Sequence, residues 1–252
     1  MYINRLAILC NDPVFSEKSQ ALAARLAVPL YDKVDKFTPE DFFLTYRDDC
    51  LKLIDKELLK KGGLMVDIQP RQGEQRSWPA PKEGALAQAI GRKTKTVIDA
   101  TTGWAQDSLH IFRMGYDVRC IERSAIMLEL LGDAFRRLEQ LDWVKRLDLS
   151  APILMRGNAI ELLTQLTDKP DCIYLDPMFP AKRKKSALPK KSMLILRDLL
   201  GDDMDKQALF DAAMQATAKK VVVKSPSYAE PLGGKPAQSF KSKLLRYDVY
   251  IK

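Results

Sequence analysis

The sequence predicts an α/β protein built on a mostly parallel sheet, with a small α+β unit in front of it. Three observations carry this. From Ala85 onward, short apolar runs alternate with amphipathic stretches, the pattern of strands joined by crossover helices. Ahead of them, "QPRQGEQRSWPAPKEG" at 69–84 is polar and rich in Pro, Gly and charge, and reads as a linker or mobile loop. The final run, "FKSKLLRYDVYIK", reads as a closing hairpin. The expected division is therefore 1–68, a small N-terminal unit; 69–84, the linker; and 85–252, the main domain.

Taken in order, "NRLAILC" reads as a strand and "SEKSQALAARLA" as a helix. "CLKLID" and "LMVDI" are expected to pair around the Lys60-Lys61-Gly62-Gly63 turn. In the main domain the expected strands are "TVIDAT", "DVRCIER", "APILMRGN", "DCIYLD" and "KKVVVKS". The helices between them are "SLHIFRMG", "AIMLELLGDAFRRLEQL", "AIELLTQL" and "KQALFDAAMQATA". Sheets of this kind bind ligands beyond the carboxyl ends of their strands, near the point where the strand order reverses.

At 252 residues the chain can bury one large domain plus an appendage. Its formal net charge of +8 points to an acidic partner such as nucleic acid. No apolar run is long enough to span a bilayer, and the N-terminus lacks a cleavage pattern, so a reduced, cytoplasmic protein is expected. Cys10, Cys50, Cys120 and Cys172 are scattered without a CxxC pair, and no metal site is expected. A single histidine, His110 on a helix, restricts triad chemistry and reads as a packed structural residue.

"VIDATTGWAQDS" is an apolar strand ending in Asp99, a turn containing Gly103, then a helix. Such a turn lets backbone approach a nucleotide-type cofactor, although an ordinary structural corner looks the same. Glu122 follows nineteen residues after Gly103, where a carboxylate accepts ribose hydroxyls in nucleoside-binding sheets. An ion pair with Arg123 is the plainer alternative. No GxGxxG is present to meet a pyrophosphate, which favours S-adenosylmethionine over a dinucleotide. At the third strand end, Asn158 and the amide after it suit an adenine edge; Asn158 equally suits a helix N-cap.

The fourth strand delivers "YLDPMFP". A nucleobase amine is a poor nucleophile because its lone pair is delocalised. An acceptor such as Asp176 can bind its N–H groups and aim it at a methyl donor. Phe179 can stack on the base, while the prolines stiffen the loop. A proline-stiffened loop with a core phenylalanine is the bland reading.

"DATTGWAQDS", "CIERS", "YLDPMFP" followed by "KKSALPKK", and "KKVVVKSPSYAEPL" together closely resemble the bacterial small-subunit ribosomal RNA guanine-N2 methyltransferase family RsmJ. The resemblance covers 85–252. It implies a Rossmann-like class I methyltransferase fold, with a seven-stranded sheet ending in an antiparallel hairpin. It also implies S-adenosyl-L-methionine as donor and a guanosine of 16S rRNA, in RNA or small subunit, as acceptor. The family's cofactor contacts fall on Gln106, Asp107, Glu122, Arg123, Asn158, Ala159 and Asp176. The chain departs from the common family pattern at Ala105 (glycine), Gln106 (arginine), and Asn158 and Ala159 (serines).

Lys182, Arg183, Lys184, Lys185, Lys190 and Lys191 follow the reactive loop, and Lys224 ends the next apolar strand. These cations are expected to hold RNA phosphates, as against a merely solvated loop. Arg71, Arg76 and Trp78 are candidates for a further RNA contact. The expected activity is methylation of guanosine N2 in 16S rRNA. Its rivals are methylation of adenine N6 or of a protein glutamine, and a non-catalytic RNA-binding protein with a relic cofactor pocket.

Overall fold

The structure, a computed structural model, describes residues 5–56, 62–70, 78–177 and 205–252. The N-terminal sheet contains β1 (Leu6–Leu9), β2 (Leu30–Tyr31), β3 (Phe42–Arg47) and β4 (Cys50–Asp55), in the order β2-β1-β3-β4. Strands β3 and β4 form an antiparallel hairpin. Asp48 and Asp49 turn it with φ of 55° and 54°, the left-handed pair whose twist suits a two-residue connection. Helix α1 (Ser16–Leu26) buries Ser19, Leu22, Ala23 and Leu26, the three- and four-residue spacing of one helical face.

"LMVDI" does not become a strand: it meets β4 only through a bridge between Leu64 and Leu53, and β4 pairs with β3 instead. The reason lies in its carbonyl groups. Arg137 donates to the Val66 oxygen at 3.0 Å and Arg113 to that of Ile68, so side chains do the work of a neighbouring strand.

The larger sheet has the order β10-β11-β9-β8-β5-β6-β7. Its parallel strands are β5 (Thr96–Asp99), β6 (Asp117–Glu122), β7 (Ile153–Arg156), β8 (Cys172–Leu175) and β9 (Lys220–Pro226). The antiparallel hairpin of β10 (Gln238–Lys241) and β11 (Leu245–Ile251) closes one edge, as the tail sequence predicts. The other described α-helices are α2 (Gly84–Ile90), α3 (Gln106–Arg113), α4 (Ala125–Glu139), α5 (Asp142–Arg146), α6 (Ala159–Thr164) and α7 (Lys206–Ala216).

Alternation along each strand divides the core. Val97, Cys120, Cys172, Tyr174 and Val222 pack with α2, α3 and α4. Ile98, Ile121, Ile173, Leu175, Val221 and Val223 pack with α6 and α7. The first of these cores continues into the N-terminal sheet through Leu6, Ile8, Phe43 and Leu53. Polar contacts pin that junction: the Leu51 N–H donates to Asp133 at 3.1 Å, and Arg25 grips Glu129 through two bonds of 3.0 and 2.9 Å.

The described part of 69–84 is also held. Trp78 lies against Phe112 and Trp143, with ring centroids 5.1 and 5.2 Å away, and the Ala80 N–H donates to the Arg113 carbonyl. Trp78, a candidate for RNA contact, is thus packed against the main domain; Arg71 and Arg76 lie outside the described residues. No helix among the described residues is long and apolar enough to cross a membrane.

Candidate active site

The chain runs β5, β6, β7 outward to one edge, then returns through β8 and β9 on the other side of β5. The strand order thus reverses between β5 and β8, the point at which a sheet of this order forms its ligand crevice, beyond the carboxyl ends. Asp99, Glu122, Asp176 and Lys224 all come from this end of the sheet.

The turn after β5 is built around the Asp99 carboxylate. It accepts the N–H of Thr101 at 3.0 Å, that residue's hydroxyl at 3.3 Å, and the Ser108 hydroxyl from α3. Burial pushes Asp99 up to about 7, against the pull of the Ser108 and Thr101 hydrogen bonds and with the charges of Asp107 and Asp176 adding to the rise. Its folded value lies above its unfolded one, so the folded state holds this proton more tightly. The resulting stability is complete below about pH 4 and is lost as pH climbs through about 7. Asp99→Asn should flatten the fall in melting temperature across that window, as read by thermal melts at half-unit pH steps.

Gly103 and Ala105 both adopt positive φ, 49° and 53°. The Gly103 N–H donates to one Glu122 oxygen at 3.2 Å, and Ala105 caps α3 in the left-handed region while fully buried. That conformation costs a residue with a Cβ about 1 kcal/mol and costs glycine little, which explains why a glycine suits this position.

Glu122 ties two strand ends together: its second oxygen accepts the Ser124 N–H at 2.7 Å. Burial pushes this carboxyl up, opposed by backbone N–H groups of Ser124, Arg123 and Gly103. Its hydrogen bonds run to backbone, while the Arg123 guanidinium stands 3.8 Å from Asp205. At the next strand end, Asn158 is the N-cap of α6, accepting the Ile160 N–H at 2.9 Å, and Ala159 is the first helical residue. Gln106 and Asp107 open α3.

The opposite side of the crevice is a charge network that sequence reading did not assemble. Asp107 accepts the Tyr174 hydroxyl at 2.7 Å and the Lys224 ammonium at 2.6 Å. The same ammonium reaches Asp176 at 2.7 Å, and the Asp176 N–H donates to the Thr101 hydroxyl at 2.6 Å. Burial pulls Lys224 down, but Asp176 and Asp107 outweigh it and hold the ammonium above its ordinary range. Burial and both carboxylates push the Tyr174 phenol well up, so it stays a donor. Lys224, expected to meet RNA phosphate, has two carboxylate partners. Tyr174 and Thr101 were missed because strand alternation marks the first as core and nothing local marks the second.

Phe179, Lys182, Arg183, Lys184, Lys185, Lys190 and Lys191 lie outside the described residues.

This donor set suits S-adenosylmethionine. Glu122 offers acceptors that suit ribose hydroxyls, Asp107 and Asp176 bring negative charge that suits a cationic group, and no cradle of backbone amides for a pyrophosphate is needed.

Comparison with known proteins agrees. The family model described as "Putative SAM-dependent methyltransferase" matches residues 30–252. A protein of Shewanella amazonensis named ribosomal RNA small subunit methyltransferase J is 38% identical, over 85% of this chain and 90% of its own. One of the same name from Aeromonas salmonicida is 35% identical over 98% of this chain and 97% of its own. Among solved structures, a SAM-dependent methyltransferase from Neisseria gonorrhoeae superposes with a TM-score of 0.71 at 26% identity, covering 98% of this chain and 95% of its own.

Proposed function

The chain belongs to the ribosomal RNA small subunit methyltransferase J family of S-adenosylmethionine-dependent enzymes, and from that premise we propose that it methylates the exocyclic N2 amine of a guanosine in 16S rRNA. The observation that carries the reading is Asp176, anchored by Thr101 at the end of β8 and facing Asp107 across the switch point. The bound donor supplies an electrophilic methyl group. The chain's own residues supply orientation and charge.

Glu122 holds the nucleoside part of the donor, with the amides after Asn158 serving the adenine and Asp107 its cationic end. Asp176 accepts the N–H groups of the target amine, turns its lone pair toward the crevice, and favours the positive charge that develops on nitrogen. Backbone atoms near Ala105 and Ala159 carry the contacts where side chains depart from the common pattern. The cations at 182–191 hold phosphates beside the target, and Phe179 stacks on the base.

The test is direct. Purified protein with S-adenosylmethionine should methylate small subunits from cells lacking it, and mass spectrometry should place the methyl on guanine N2. Its apparent affinity for rRNA should fall steeply with added salt. A methyl found on adenine N6, or on protein, overturns the assignment.

A further inference from the structure

Among the described residues, Lys224 is a charged group at the crevice to which methyl transfer gives no role. Its side chain is 18% exposed and comes from β9, while its partners come from α3 and from the end of β8. An ammonium has three donors, and two already point at Asp107 and Asp176. A phosphate from solvent would have to compete with both carboxylates for it. We propose that Lys224 is a positioning residue, a cationic brace that keeps Asp107 and Asp176 as a fixed pair of acceptors, one for the donor's cationic end and one for the target amine. This deepens the methyl-transfer reading and rests on it.

The surroundings explain why a brace is needed. Asp99 is buried beneath the crevice and feels the charges of Asp107 and Asp176, so three carboxyl groups crowd one end of the sheet. Like charges in such a place favour uptake of a proton by one of them. A protonated carboxyl would present a donor where the chemistry needs an acceptor. Tyr174 and Thr101 fix the outer sides of the pair, but both are neutral and cannot balance its charge. Among the described residues Lys224 brings a positive charge to both, and strand β11, pairing Tyr247 with Lys224, fixes the backbone that carries it.

Lys224→Met and Lys224→Arg in the full-length chain test this. The first readout needs no substrate. Without the ammonium, a folded-state carboxyl should hold its proton more tightly than in the unfolded chain. The melting temperature of Lys224→Met should therefore fall more steeply than wild type as pH rises above about 4, and adding Asp107→Asn should remove the extra slope. If the Met variant is not recovered folded, Lys224→Gln gives the same comparison. The second readout is the pH profile of kcat. Its acid limb should move up by about one unit or more in Lys224→Met and return toward wild type in Lys224→Arg.

Unchanged slopes and an unchanged acid limb, with a raised KM for rRNA and a shallower salt dependence, would make Lys224 a phosphate contact and end the proposal. If the slopes behave as expected while wild type leaves rRNA unmethylated, the rRNA reading falls and the brace stands.

Discussion

Asp176→Ala should lower kcat for rRNA methylation by between about 100-fold and 1,000-fold, the scale for losing one preorganised polar group at a reacting centre. The side chain is 38% exposed at the crevice, so its removal opens no core cavity and the melting temperature should change little. The backbone N–H to Thr101 survives the substitution, and Lys224 keeps Asp107. Folding and turnover should thus separate. Asp176→Asn, which retains one acceptor oxygen and loses the charge, should fall between wild type and alanine. Single-turnover kinetics with saturating S-adenosylmethionine decide the matter, and full turnover by the alanine variant removes Asp176 from the mechanism.

The largest expected loss of stability comes from Asp133→Ala on α4. This buried carboxylate accepts the Leu51 N–H of β4, Arg137 at 2.8 Å and Arg136 at 2.9 Å. Truncation orphans a buried backbone donor and leaves the Arg137 guanidinium, 13% exposed, without its counter-ion. A cost of about 3 kcal/mol follows, or roughly 10 °C in melting temperature for a chain of this size. Asp133→Leu combined with Arg137→Met should recover part of it, because an apolar pair leaves no buried charge. Equal melting temperatures for wild type and Asp133→Ala would show that the junction between the two sheets does not depend on this contact.

Much of the larger sheet was legible because its central strands are largely apolar runs set off by helices of clear periodicity. "TVID", "DVRCIE", "CIYL" and "KVVVKSP" all became strands, and Glu122 and Asp176 sit at the ends where the spacing put them. The N-terminal sheet was harder. Strand β3, "FFLTYR", has no local mark that distinguishes its partner, and "LMVDI" looks like a strand until two distant arginines take its carbonyls. The crevice shows the same limit. Asp107 and Lys224 are 117 positions apart, and no pattern short of the folded sheet brings them to 2.6 Å.

The order of the strands has a consequence for the chain as it is made. Synthesis completes β8 before β9 and β11 exist, and β8 is the uncharged run "CIYL". Until β9 arrives, one side of that strand is an open hydrogen-bonding edge, able to recruit another copy of itself. Strand β9 therefore guards a growing chain against association as well as extending the sheet. C-terminal truncations ending before Lys220 should accumulate as aggregates rather than as soluble, inactive protein.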